Sequence, residues 1–256
     1  MLLSRATWTD VERYLERGRG VVIPIGSTEQ HGPMGLIGTD AICAEAVAHG
    51  LGTSDDVLVT PAIAFGAAQF NLAFPGTVSV RAATLIAIVE DVVRSLARQG
   101  FERFYFVNGH GGNLAPLRCA FQDLYGESSV MPGARSPLRF RVRSWWEYPA
   151  VDRLRRERYG EGEGMHATPS EIAITAHLLP EAVRPVATPP PERLSAEFLR
   201  EHAGDQHPDA TTHRARFPDG RVGSDSSLAT AAAGAELLSA AVADARADYA
   251  AFMAGQ

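Results

Sequence analysis

A chain of 256 residues, 45% hydrophobic and 21% charged, buries roughly 70–75% of the surface its unfolded form exposes, which excludes a stapled mini-protein and a disordered or collagen-like chain. Its 24 basic residues are all arginine and face 30 acids, for a formal charge of −6; the lack of lysine excludes lysine Schiff-base chemistry and a P-loop, and the negative field disfavours nucleic acid. The longest apolar stretches, 85–89 and 229–233, fall short of the ~20 residues of a membrane span, no secretory leader is evident, and Cys43 and Cys119 read as reduced thiols, so the expectation is a cytoplasmic protein without a membrane partner.

From the N-terminus, Thr9 and Glu12 have capping-box spacing before a short helix through Leu15. The apolar run at 21–25, bounded by glycines, predicts a strand buried on both faces. A helix over 41–49 and a second strand at 57–60 follow. Residues 82–99 predict a helix with Leu85, Val89, Val92 and Leu96 on one face, ended by Gly100. A third strand at 104–107, a helix at 114–125 and a fourth strand at 138–142 complete the alternation. Arginines between 139 and 158 gather beside Trp145 and Trp146, a pattern that can bind single strands; interleaved acids (Glu147, Asp152, Glu157) make a solvated helix face the simpler reading. Residues 185–191 read as a surface connection, 198–223 as a long polar loop or lid, and 227–253 as a closing helix. The pattern predicts parallel β-α-β units with helices on both sheet faces, in a single domain over 1–256 with an elaborated C-terminal third.

Ligands of such sheets gather at the carboxyl ends of the strands. The first strand delivers Gly26-Ser27-Thr28-Glu29-Gln30-His31-Gly32-Pro33 and then Thr39-Asp40; the third delivers Asn108-Gly109-His110-Gly111-Gly112-Asn113. Glu29 and His31 point the same way on an extended segment, and these groups are of the type that holds Zn, Mn or Fe. Each has a plainer alternative. Asp40 also suits a helix N-cap, worth about 1 kcal/mol; Asn108-Gly109 suits a turn; His110 suits a hydrogen-bonded structural histidine. Glu29 is harder to explain away, because an unpaired buried carboxylate is costly. A third cluster, Gly164-Met165-His166-Ala167-Thr168-Pro169-Ser170-Glu171, contains a capping box in which Glu171 bonds the amide of Thr168. The other reading turns His166 and Glu171 into the same pocket as the two strand-end loops.

The run from Pro24 to Pro33 with Thr39-Asp40 resembles the N-terminal signature of the creatininase (creatinine amidohydrolase) family. Phe74-Pro75-Gly76-Thr77, the 107–113 loop, 166–171, and Val222-Gly223-Ser224-Asp225 with Ala229-Thr230-Ala231 have family counterparts in the same order. The resemblance implies a three-layer α/β/α sandwich with a mostly parallel sheet, assembled as a homohexamer, with two divalent metals at the strand ends. It implies Glu29, His31, Asp40, His110 and Glu171 as ligands, Asp40 bridging, and His166 as proton donor or acceptor. Three carboxylates against two divalent ions leave +1, which a bridging hydroxide neutralises. Such a hydroxide, its pKa lowered from 15.7 to about 7, is a nucleophile at neutral pH, and His166 passes the proton to the leaving nitrogen. Gly111 and Gly112 let substrate approach the backbone, and Trp145 and Trp146 are candidate pocket walls.

Two departures narrow the substrate. Gly112 stands where creatininases resemble Asn-Gly-His-aromatic-Glu-Asn, and Asn71 stands at a family histidine place. The Gly-Gly form resembles other amide hydrolases, including formamidopyrimidine-type deformylases and the peptidase of the mycofactocin pathway. The expectation is therefore an amidohydrolase acting on a non-peptide C–N bond, a cyclic amide or formamide, of a small molecule. The alternatives are a metal-binding member without turnover and a peptide-processing hydrolase of a cofactor pathway.

Overall fold

A computed structural model describes residues 1–53, 56–133 and 136–255. Among the described residues the sheet is β1 (Gly20–Ile25), β2 (Arg103–Asn108) and β3 (Arg139–Ser144), all parallel in the order β1-β2-β3. Ile25, Asn108 and Ser144 lie level in the register, so the three segments that follow them leave from one rim.

The expected second strand at 57–60 is instead a broken edge beside β1, with isolated parallel bridges Val22↔Val59 and Ile25↔Ile63. Val22 donates to Leu58 O at 2.8 Å and Thr60 to Val22 O at 3.0 Å, and Pro61, without an amide hydrogen, then interrupts the ladder.

Helices cover both faces. α1 (Trp8–Leu15), α3 (Ala82–Arg98) and α4 (Leu114–Ser129) lie on one; α2 (Thr39–Leu51), α5 (Pro149–Tyr159), α6 (Pro169–Leu178) and α9 (Ala231–Met253) lie on the other. The alternation of strand side chains explains the split. Val21, Ile23, Phe104 and Phe106 pack with Leu85, Val89 and Leu117, whereas Val22, Tyr105 and Val107 pack with Val47, Ile174 and Leu237. On α3 the buried stripe is Leu85, Val89, Val93 and Leu96, with Val93 taking the place expected of Val92.

Boundaries shift for local reasons. α1 is capped by Thr7 with Asp10 at N3, not by Thr9 with Glu12, because the helix already begins at Trp8. α9 starts at Ala231 behind Thr230, whose side chain accepts from Ala233 N, and residues 226–228 form a separate 3-10 turn. The polar stretch 198–223 is not all loop: α7 (Ala196–Glu201) and α8 (Ala210–Arg216) are capped by Ser195 and Asp209. The arginine cluster is paired with acids, Arg143 and Arg141 with Asp248, Arg155 with Glu163 and Arg156 with Asp152. Among the described residues no helix is long and apolar enough to cross a membrane.

Candidate metal centre

Glu29 and His31 sit in the loop leaving β1, which is folded on itself by Glu29 N donating to Ile37 O at 2.8 Å and Gly35 N to His31 O at 3.0 Å. This brings Thr39 back to start α2, with Asp40 in its first turn. His110 leaves β2 two residues after Asn108, whose side-chain oxygen accepts the His110 amide at 3.2 Å. Asn113 joins the two loops by donating to Gly26 O at 3.0 Å and accepting from Ala67 N at 3.3 Å. His166 comes from the chain before α6, held antiparallel to Val222. Ala167 follows it at φ +57°, a conformation that costs an L-residue energy and is tolerated here where it turns His166 toward the loops.

These segments converge. Glu29, Asp40 and His110 form one buried group whose ligand atoms lie within 4.8 Å of one another; His31, Asp40 and Glu171 form a second; Glu29, His31 and His166 a third. His31 Nε2 is 2.9 Å from Asp40 Oδ1 and 3.8 Å from Glu171 Oε2. His110 Nδ1 is 3.1 Å from Asp40 Oδ2 and 3.2 Å from Glu29 Oε1. Both Glu29 carboxylate oxygens and Asp40 Oδ2 are nevertheless buried without a hydrogen bond of sound geometry. Charged oxygens left so in the interior call for positive charge. The donor set of imidazole and carboxylate fits zinc, manganese or iron.

Each histidine is anchored through the ring nitrogen that faces away from the carboxylates. His31 Nδ1 lies 3.1 Å from Glu29 O, His110 Nε2 3.1 Å from Ala67 O, and His166 Nε2 2.7 Å from Gln30 O. A carbonyl only accepts, so these nitrogens donate, which fixes the tautomers and turns His31 Nε2, His110 Nδ1 and His166 Nδ1 inward. His166 Nδ1 is 3.7 Å from Glu29 Oε1.

The titration pattern of these side chains follows from their mutual burial. Burial alone lowers the pKa of His31, yet Asp40 and Glu171 carry it up to about 10; burial of His110 is likewise outweighed by Glu29 and Asp40, which hold it well above the usual range. Burial raises Glu171 to about 7 against the pull of His31. Asp40 is held low because His31 and His110 outweigh its burial. His166 goes the other way, down to about 4, through burial and the neighbouring charge of His31.

Glu171 combines both readings of its motif. Its Oε1 accepts from Thr168 N at 2.5 Å and completes the capping box of α6, while Oε2 faces His31. A cavity of about 310 Å³ opens above the centre, walled by Trp145, Trp146 and Leu114 and floored by His110, His166 and Glu171. Gly111 lines it; Gly112, whose amide donates to Asp205 Oδ2 at 2.9 Å, is not among its lining residues. Asp205 lines the cavity from the α7–α8 connection, 3.5 Å from His110 Nδ1, and sequence reasoning passed over it. Burial pushes its pKa up to about 6, opposed by His110. The only sequence signal for it was the excess of His and Asp in a stretch read as a lid. His207 and His213, also in that stretch, are buried against Phe70 at ring distances of 4.7 and 4.9 Å.

The family model described as Creatininase: Creatinine amidohydrolase matches residues 4–248. A mycofactocin precursor peptide peptidase of Mycolicibacterium smegmatis is 42% identical over 106 residues, 39% of this chain and 42% of that protein. Its counterpart in Mycobacterium ulcerans is 32% identical over 172 residues, 64% and 60% of the two chains. The creatinine amidohydrolase of Pseudomonas putida is 32% identical over 119 residues, 44% and 46%. The alignments thus span about half the length of these curated relatives. Among solved structures, a creatinine amidohydrolase superposes with a TM-score of 0.83 at 23% identity, covering 98% of this chain and 97% of that one. At that identity the likeness speaks for the fold, which is the α/β/α sandwich expected.

Proposed function

We propose, from the premise that the chain belongs to the creatininase family of hydrolases, that it is a divalent-metal-dependent amidohydrolase. The observation that carries this reading is the orientation of His31, His110 and His166, each held on a backbone carbonyl with its other nitrogen turned toward buried carboxylates, of which both Glu29 oxygens and Asp40 Oδ2 have no hydrogen-bond partner. Glu29, Asp40 and His110 would hold one ion and His31, Asp40 and Glu171 a second, with Asp40 common to both. Zinc, manganese or iron, when bound there, lowers the pKa of water toward neutrality and draws charge from an amide carbonyl.

The chain's own groups do the rest. His166 donates through Nε2 to Gln30 O, which turns its Nδ1 toward the centre, where it would take the proton of the attacking water. It then returns that proton to the departing nitrogen, without which an amine leaves poorly. Trp145 and Trp146 offer the substrate apolar walls, and Gly111 a backbone that it can approach closely.

The small cavity supports a small amide or formamide as substrate. Gly112 and Asn71, both at places of departure from the creatininase pattern, weigh against creatinine itself. A second reading, an amide within a peptide, is favoured by the names of two relatives. The proposal includes one unit over 1–256, a cytoplasmic setting and a homohexamer, the last checked by sedimentation. Chelator-stripped protein reloaded with Zn(II) or Mn(II) is to be assayed by mass spectrometry against creatinine, other cyclic amides, formamides and short peptides. Turnover of any amide that requires both the ion and His166 supports the reading; ion uptake with no turnover across the panel favours a metal-binding member without activity.

A further inference from the structure

We propose that Asp205 is drawn onto the cation held by Glu29, Asp40 and His110, so that filling that position and closing the α7–α8 connection over the cavity are one event. The inference rests on the two-cation reading above. Its starting point is a conflict at the loop after β2. A side chain at Gly112 is sterically barred, since a Cβ there collides with the carbonyl oxygen of Ala67 and comes 2.7 Å from His110 Nε2. The loop itself therefore has no room for a carboxylate beyond His110.

Asp205 supplies one from elsewhere in the chain. Its Oδ2 accepts from Gly112 N at 2.9 Å and stands 3.5 Å from His110 Nδ1, the nitrogen that faces the cation position. A Cβ on Gly111 would come 2.5 Å from the same oxygen, so the carboxylate docks only because residue 111 has no side chain. Asp205 stands outside the three ligand groups. His110 Nδ1 lies against three carboxylates, those of Glu29, Asp40 and Asp205, so a doubly charged ion held beside that nitrogen would attract the nearby Asp205 carboxylate directly. The connection has little slack to take up. Gly204 and Asp205 both line the cavity, His207 donates its amide to Asp205 O at 2.9 Å, and the His207 ring packs on Phe70, itself stacked on His110.

The test uses the full chain stripped of metal, Mn(II) as probe, and Asp205→Asn. Asparagine keeps an oxygen for the Gly112 amide and removes only the charge, so a merely structural latch survives the change. In the wild type, two Mn(II) ions bind and amide exchange over 198–209 slows when they do. In Asp205→Asn, one of the two binding steps weakens by roughly 10–100-fold, the other is unchanged, and the slowing over 198–209 disappears. Two Mn(II) bound by the variant as tightly as by the wild type, or wild-type exchange over 198–209 indifferent to Mn(II), overturns the inference; the second readout needs no variant. Failure of the wild type to take up Mn(II) at all would instead overturn the two-cation reading beneath it.

Discussion

Replacing Glu171 by Gln separates two duties carried by one side chain. Oε1 caps α6 through Thr168 N, and Oε2 faces His31 Nε2 at 3.8 Å. Glutamine is accepted at the third position of a capping box, so the variant keeps the cap. Its helix loses well under the ~1 kcal/mol that removal of a cap costs. The charge is lost outright. A unit charge pair near 4 Å is worth about 4 kcal/mol at an effective dielectric of 20. With partial relief from relaxation, a loss of about 2–4 kcal/mol is expected, which at 1.36 kcal/mol per decade is a roughly 30- to 1000-fold fall in cation affinity. Titration with Zn(II) or Mn(II) against a chromophoric chelator reads the affinity, and urea unfolding of the stripped protein reads the fold. Unchanged affinity in Glu171→Gln refutes the reasoning and leaves the residue a cap.

His166→Ala is expected to keep its metal content by elemental analysis and to lose turnover at least 100-fold, the lower range for a positioned proton-transfer group; loss of metal instead makes His166 a ligand. Gly112→Ala forces a methyl against Ala67 O and His110 Nε2, and is expected to lower stability by about 1–3 kcal/mol and to weaken cation binding, as seen by thermal melts with and without Mn(II). His31, raised to about 10 in the fold from 6.5, stabilises the cation-free protein fully below pH 6.5, and that contribution is lost as pH rises toward 10. The urea midpoint of stripped protein should therefore fall between pH 7 and 10, and less so when His31 is replaced by Gln; equal slopes for both proteins dismiss the imidazolium. His207, pushed down to about 3 by burial and by His213, gives the opposite slope, stability falling as pH drops below 6.5, and His207→Gln should flatten it.

The fold was readable where one period dominates. The buried strands at 21–25 and 104–107 carry apolar residues on both faces, and α3 shows its stripe plainly, although a one-residue drift decides between Val92 and Val93. Residues 57–60 had the composition of a strand, but Pro61 breaks the pairing that composition invites. α7 and α8 were hidden because helices of six and seven residues show too little periodicity to stand out from a polar background. At the centre, Glu29, His31, Asp40, His110 and Glu171 were named as a set through the family resemblance, since taken one by one Asp40, His110 and Glu171 had plainer readings as cap or structural residue; the fold draws their ligand atoms together. Asp205 was not, since its approach to His110 depends on contacts across 95 residues of chain and on the absence of a side chain at Gly111. The backbone anchors of the histidines were equally invisible, because any residue supplies a carbonyl.

Those anchors bear, on the two-cation reading, on how the protein would survive without its ions. With the imidazoles of His31 and His110 pinned from behind, and each able to carry a proton toward Glu29, Asp40 and Glu171, hydrogen ions would serve as place-holders whenever such cations are stripped away. A depleted molecule keeps its cage open and close to neutral. Refilling then ejects protons into solvent, and weakly buffered medium should acidify in step with the metal taken up.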